Sequence, residues 1–428
     1  MRDGTYSLTG RVPPMPQLCE NNIRKKARLV ALTGAMAWLA TGPSAFAQDQ
    51  SMLITLTGQS MIRSDLRATA PDAVPKIRPM IQGDVKFTNL EGTVAYAGEA
   101  VTEGRGFLVP PAALDCLTDI GFNLLSLSNN HAFDLQRTGV ENTLHEVDKR
   151  NIVHAGTGET MAQAAAPAYL NTPKGRIALV ASASGLIAQG GHAANNTPGV
   201  NELRIEAGDR ENEATIPLPV SPGNSPNSED SLRILQNIRD ARAHADLVIV
   251  YQHNHVFSNR PFSEVFAEGL PERLAPPSWL KKWTHAEIDA GADIVVMHGA
   301  PLLHGIEVYR GKPIFYDLGN FIYNLPPAIT YIDEPINWES VVAYVRLKGR
   351  TLQSITLRPI AMNNIGQGQP DVHDQHTNNQ FLDTRGLPTP ATGQQAIDIL
   401  ERLANASKPF GTNIVVKGDM AEIQLPSQ

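Results

Sequence analysis

Residues 125–134 read LSLSNNHAFD. A run of small and apolar side chains, suited to a buried strand end, passes directly into two amides, an imidazole and, three residues later, a carboxylate. Open α/β sheets carry their functional groups in the loops that follow the carboxyl ends of strands. The stretch therefore predicts a core strand over 122–130 with Asn129, Asn130, His131 and Asp134 standing on the rim beyond it.

Outward from this strand the same rhythm repeats. Apolar runs of strand length occupy 52–58 (MLITLTG), 85–91 (VKFTNLE), 176–184 (RIALVASAS), 245–255 (ADLVIVYQHNH) and 292–299 (ADIVVMHG). Between them, 112–121, 139–151, 231–245 and 278–291 have helical spacing, and several close at Gly or Asn, where a C-cap falls. The alternation predicts an α/β architecture. Residues 186–230, rich in Gly, Asn, Pro and Ser, read as a surface insertion, and 363–392 as a loop with little core. His373 and His376 fall in that loop and read as solvated side chains. An amphipathic helix over GQQAIDILERLANAS and a hairpin turning at Lys417-Gly418-Asp419 close the chain. The domain division expected is 48–362 for the main body, with the loop, helix and hairpin of 363–428 packed on it.

The N-terminus is of a different kind. Arg24, Lys25, Lys26 and Arg28 precede LVALTGAMAWLATGPSAFA, which ends at Ala45-Phe46-Ala47 before QDQ. That is the pattern of a secretory signal over 1–47, cleaved after Ala47. Its apolar run is interrupted by Gly34, Gly42 and Pro43 and falls short of the roughly 20 residues a membrane span needs. An uncleaved anchor is the alternative. After cleavage no stable transmembrane segment is expected, and the location is the periplasm or cell envelope, reached by secretion across the inner membrane. The chain has 36 Lys and Arg against 43 Asp and Glu, a net charge of −7 that falls to about −11 without the leader. Nucleic acid is excluded as a partner, since it needs clustered basic residues. Of the two cysteines, Cys19 leaves with the leader and Cys116 remains alone, so no intramolecular disulfide can form.

The strand ends collect the chemistry. Gln59 follows the first run, Asn89 and Glu91 the second, and Asn129, Asn130, His131 and Asp134 the third; His253 and His255 end a later strand, and His298 the last, with His304 just beyond. Singly, each has a bland explanation as a turn former or a hydrogen-bonded core residue. Together they form the mixture a metal-dependent hydrolytic site uses: imidazole suits Zn, Mn or Fe, carboxylate bridges cations, and an amide oxygen adds a ligand without adding charge. Asp134, placed in the first turn of the next helix, either orients the His131 ring or serves the helix N-terminus.

Four blocks carry a resemblance: GDVKFTNLE, SLSNNHAFDLQRTGVENTLHEVDKRNIVHAGTG, VIVYQHNH and GADIVVMHGAPLLHGIEVYRGKPIFYDLGNFIY. In this order, over about residues 52–325, they resemble the CapA family of poly-gamma-glutamate capsule biosynthesis proteins, whose domain is similar to the calcineurin-like metallophosphatases. The resemblance implies a layered α/β/β/α sandwich with one or two divalent ions on the rim. It implies Asn130, Glu91 and His253 as metal ligands and His131 as the catalytic acid or phosphate-contacting group, and Asp134, read above as orienting that ring, joins it as a catalytic candidate. Gln59, Asn89 and Asn129 are left as substrate-contacting candidates. The implied partner is an anionic capsule or envelope polymer, handled alone or within an envelope biosynthesis complex.

The chain also departs from the family pattern. Gly58-Gln59 stands where the family has Gly-Asp, and Gly299 and Pro301 stand where it has His-x-His, leaving His298 one position early. Three explanations stay open: one ion instead of two, substitution by His255 and His304, or loss of catalysis with a binding surface retained. His255 lies two residues from His253, on the same side of an extended strand, which favours substitution. A metal-dependent hydrolase of a phosphoester or polymer bond and a non-catalytic, polymer-binding or export protein are thus the two readings. The stretch GKPIFYDLGNFIYN reads as a hairpin with Arg310 and Lys312 exposed and Asn320 in a structural turn. Neither a P-loop, a dinucleotide fingerprint nor a Gly-x-Ser-x-Gly elbow is present.

Overall fold

Successive side chains of a strand face opposite ways, and the strand Ser51–Leu56 (β1) buries Met52, Ile54 and Leu56 on one face. A computed structural model describes residues 51–101, 106–206, 224–258, 260–267, 269–325, 334–368 and 380–425. The expected leader, Cys19, part of the expected insertion, and His373 and His376 lie outside the described residues. After β1 come Val85–Asn89 (β2), Leu124–Ser126 (β3), Val153–Ala155 (β4), Ala168–Thr172 (β5), Gly175–Ser184 (β6), Leu247–Asn254 (β7), Ile294–His298 (β8), Ile306–Tyr309 (β9) and Lys312–Phe315 (β10). Glu339–Lys348 (β11), Thr351–Met362 (β12), Pro388–Pro390 (β13), Asn413–Val416 (β14) and Ala421–Gln424 (β15) complete the two large sheets.

The first sheet has the order β14-β15-β12-β11-β1-β2-β3-β4, with β13 also paired to β12, and the second β9-β10-β8-β7-β6-β5. Each contains a parallel run of four, β1 to β4 in one and β6, β7, β8 and β10 in the other. The sheets face each other across a core of Ile54, Leu56, Phe87 and Leu124 against Leu179, Ile249, Tyr251 and Val296. On the far side of the second sheet, Val180, Val248 and Val295 pack with Ile234 and Ile238 of helix Ser228–His244 and with Trp279 and Trp283 of helix Ser278–Ala290. On the far side of the first, Leu125 packs with Leu114 and Leu117 of helix Pro111–Ile120 and Val147 of helix Gln136–Lys149. The layers are therefore α/β/β/α.

Local signals explain the ends. Gly121 and Gly291 follow two of the helices with φ of 122° and 130°, conformations that favour glycine, and Asn227 caps Ser228–His244 by accepting from the amides of Glu229 and Asp230. Several expectations are corrected. The strand read over 122–130 keeps only three ladder residues, because the chain leaves the ladder after Ser126 to build the rim loop. Helix Gln136–Lys149 starts three residues earlier than the spacing suggested, so Asp134 lies in the turn before it. The long hairpin β11–β12 went unread, although it joins β1 to the closing strands. In 363–392, a short helix, Gln380–Thr384, and β13 bury Phe381, Leu382 and Arg385, the last with its guanidinium 4.4 Å from the Trp338 ring centroid. Lys312 is not exposed; its Nζ reaches the buried Asp293 at 2.7 Å. Among the described residues no helix is long and apolar enough to cross a membrane.

Candidate metal centre

The two parallel runs end on the same side, and their loops meet there. The loop after β2 supplies Glu91, the loop after β3 supplies Asn130, and β7 with its following loop supplies His253 and His255. His253 Nε2 lies 2.9 Å from Asn130 Oδ1 and 2.9 Å from His255 Nε2; His255 Nε2 is 3.1 Å from the same Asn130 oxygen. Glu91 Oε1 is 3.8 Å from His253 Nε2. Among the described residues Glu91, His253 and His255 are the one group of three or more such side chains whose ligand atoms gather this closely.

The donor set fits a divalent ion. Ligand atoms about 2.0–2.2 Å from a shared centre stand roughly 3.4 Å apart in a tetrahedron, close to the spacings here. Two imidazole nitrogens facing each other and an amide oxygen cannot all be satisfied by the single proton available between them, whereas a cation satisfies all three. The outer oxygen of Glu91 and Nδ1 of His255 are buried without a hydrogen-bond partner. Tyr251 Oη lies 3.1 Å from His253 Nδ1; with that nitrogen donating to the phenol, Nε2 presents its lone pair to the centre. Burial, reinforced by the neighbouring imidazoles, holds His253 far below its ordinary pKa, and burial takes His255 down to about 3. Both rings are thus neutral, the form that binds metal. Burial pushes Glu91 up to about 7, against the pull of His131; a cation beside it would restore the carboxylate.

His131 adjoins the donors, and its charge acts on Glu91, His253 and His255. Its Nδ1 is 2.7 Å from Asp134 Oδ2, and that oxygen also accepts from the Phe107 amide at 2.6 Å. Burial works against the imidazolium, but the charge and hydrogen bond of Asp134, with Glu91 adding to them, outweigh it and raise the His131 pKa. Asp134 therefore orients the ring; it makes no cap to the following helix.

The other expected residues have different occupations. Asn129 shapes the loop, donating to the Leu90 carbonyl at 2.7 Å and accepting from the His131 amide at 3.0 Å. Asn89 Oδ1 accepts from Asn129 at 3.3 Å, and its Nδ2 is buried without a partner. Gln59 donates to Asn320 at 3.0 Å and leaves its own Oε1 buried and unpartnered. Asn320 spends its amide on the carbonyls of Pro301 and Asn337, the structural role its turn implied. His298 sits beside His253 in the β7–β8 register, yet its Nε2 bonds the Thr57 carbonyl at 2.9 Å. His304 is not brought to the centre: its Nε2 bonds the Arg273 carbonyl at 2.8 Å and its ring stands edge-on to Phe257.

Gly299, the first of the two positions that depart from His-x-His, has no room for a side chain. Its φ is +130°, and a Cβ there would lie 2.0 Å from the Asn254 carbonyl oxygen. The β8 loop passes too close to β7 for any side chain at that position. Two residues of the site escaped the sequence reading. Tyr251 lies two residues before His253 on one strand face, a spacing that would have found it. Arg63, buried with its guanidinium 4.8 Å from the Phe107 ring centroid and its charge felt by His131, comes from a loop that gave no signal.

The chain is similar to several known proteins. A protein of Sinorhizobium fredii, described as uncharacterized protein y4sH, is 29% identical over 426 residues, covering 80% of this chain and 86% of its own. The PGA biosynthesis protein CapA of Bacillus subtilis is 30% identical over 209 residues, 49% of this chain and 44% of the relative. Among solved structures, a hypothetical protein from Thermus thermophilus (12% identity, TM-score 0.39) covers 72% of this chain and 98% of its own, and the NAD nucleotidase of Haemophilus influenzae (9% identity, TM-score 0.39) covers 82% and 63%. Residues 53–325, which hold every donor of the centre, match the model of the bacterial capsule synthesis protein PGA_cap, and the chain belongs to that family.

Proposed function

We propose that the chain is an exported, divalent-metal-dependent hydrolase that cleaves a phosphoester or backbone bond of an anionic capsule or envelope polymer, working beside the proteins that make it. The observation that carries this reading is the convergence of Asn130 Oδ1, His253 Nε2, His255 Nε2 and Glu91 Oε1, with contacts of 2.9–3.8 Å linking them. A bound ion would supply Lewis-acid polarisation of a phosphoryl or carbonyl oxygen. Two nitrogens and two oxygens favour Zn, Mn or Fe over the all-oxygen cages of Ca and Mg. One ion matches the donors, since Gln59 is neutral and Gly299 has no side chain to offer.

The protein groups divide the remaining work. Tyr251 fixes the His253 tautomer. His131, its charged form favoured by Asp134, holds a proton at Nε2 for a leaving oxygen. The leader-like residues 1–47 support export, and the match to the capsule synthesis family, with a Bacillus subtilis relative named for PGA biosynthesis, supports an envelope polymer as substrate. Elemental analysis of purified protein, read with turnover of a model phosphodiester in Mn, Zn and Fe, tests it. One equivalent of metal and metal-dependent turnover are expected, both lost in His253→Ala. The missing second set of ligands favours the other reading, a polymer-binding or export protein on a degenerate fold. Metal without turnover on any ester or polymer bond would select it.

A further inference from the structure

A groove of about 230 Å³ opens on the outer face of the first sheet, away from the rim. Tyr344 and Arg346 of β11 and Ser354, Thr356 and Arg358 of β12 line it, with Gln82 at its edge. The ladder pairs Arg346 with Ser354, Tyr344 with Thr356 and Val342 with Arg358, so these side chains share one face. Val342 and Ile360 on that face are covered by the helical layer, whereas Arg346 and Arg358 are exposed.

Arg67, Arg150, Arg204, Arg242, Arg350 and Arg402 each meet a carboxylate, whereas Arg78 donates to the Asp119 carbonyl and Arg176 lies over the Tyr169 ring. Arg346 donates to Ser51 Oγ at 3.1 Å, and the Arg358 guanidinium lies 5.8 Å from the Tyr344 ring centroid. Neither has a carboxylate within ion-pair distance among the described residues. In a chain of net charge −7, these two arginines give one open face a local positive site, since Glu422, in register with Thr356 there, is taken up by Lys417. Their guanidinium forks match carboxylate geometry. They stand four ladder positions apart, roughly 13 Å along the strand, too far for a single small anion to engage both at full strength. Repeated carboxylates on an extended chain fit that spacing, with the Tyr344 ring and the two hydroxyls between them to contact the connecting atoms.

We propose that this groove is a docking track for an extended polycarboxylate chain, holding the polymer outside the metal centre. The proposal rests on the reading of the protein as one that handles an anionic polymer, and not on catalysis. The test is fluorescence anisotropy of labelled poly-L-glutamate titrated with the full chain at low salt. Binding should weaken about threefold in R346A and in R358A, and tenfold or more in R346E/R358E, while R346K/R358K stays within about threefold of wild type; added salt should weaken all of them. Metal content should be unchanged in R346E/R358E, so the groove and the metal centre fail or stand separately. Unaltered affinity in R346E/R358E or no binding by wild type would overturn the proposal. Equal or tighter binding of polyphosphate would overturn the assignment to carboxylates.

Discussion

At the scale of single residues, the centre depends on which atoms carry protons. Tyr251→Phe removes the acceptor for His253 Nδ1, and a lost outer hydrogen bond of this kind weakens metal binding about 10–100-fold. Competition with a metallochromic chelator should show that loss with an unchanged circular dichroism spectrum. His255→Ala removes one of the three ligand groups that gather at the centre and should lower bound metal further. For His131 the sign runs the other way: Asp134 raises its pKa, so the ring keeps its proton to higher pH than an isolated imidazole and loses it as pH rises through that raised value. Asp134→Asn should lower the midpoint measured by NMR titration of the ring and move the alkaline limit of turnover to lower pH. An unmoved midpoint would show that the carboxylate does not control the proton.

At the scale of elements, helix Ser278–Ala290 buries Glu287, whose two carboxylate oxygens find no hydrogen-bond partner. Burial pushes its pKa up to about 8 from an ordinary 4.5, against a weak opposing contact from Trp283. The folded state therefore holds a proton that the unfolded chain releases, and the stability this provides is complete below about 4.5 and fades as pH rises toward 8. Glu287→Gln should raise the melting temperature at pH 8 and leave it unchanged near pH 4.5. Asn227→Ala, which strips the cap of Ser228–His244, should cost about 1 kcal/mol in urea unfolding. The elements differ in how openly the sequence announces them. β6, β7 and β8 each hold an apolar run buried on both faces and can be read directly, as can helices closed by Gly121 and Gly291. β11 and β12 alternate apolar residues with Arg, Lys, Ser and Thr, because one face is partly open, and that dilutes the signal. For the site, period-two spacing pointed to His253 and His255 together. Nothing local could separate His304 from them, since its fate is decided by the Arg273 carbonyl, 31 residues away.

At the scale of the whole molecule, the end of the sandwich opposite the centre is held by one carboxylate. Asp293, fully buried, takes Arg242 of helix Ser228–His244 at 2.6 Å, Lys312 of β10 at 2.7 Å and Arg350 of the β11–β12 turn at 2.9 Å, and accepts from the Val248 amide. It ties the second sheet and its helix to the hairpin of the first. Asp293→Ala leaves three cations without their partner and should cost about 3 kcal/mol in urea unfolding, far more than the loss of an exposed pair such as Arg137 with Glu141. At the rim end, Glu91 and Asn130 come from the first sheet and His253 and His255 from the second. An ion held there is a rivet between the sheets, and its stabilisation grows as RT ln(1 + [L]/Kd), about 2.7 kcal/mol at a hundredfold excess over Kd. Chelation should then speed amide exchange at 127–131 and 253–256 while leaving β14 and β15 untouched. The lifetime of the protein against proteases in its compartment would follow the free metal concentration there, so a cell short of metal would clear this protein faster without any change in its synthesis.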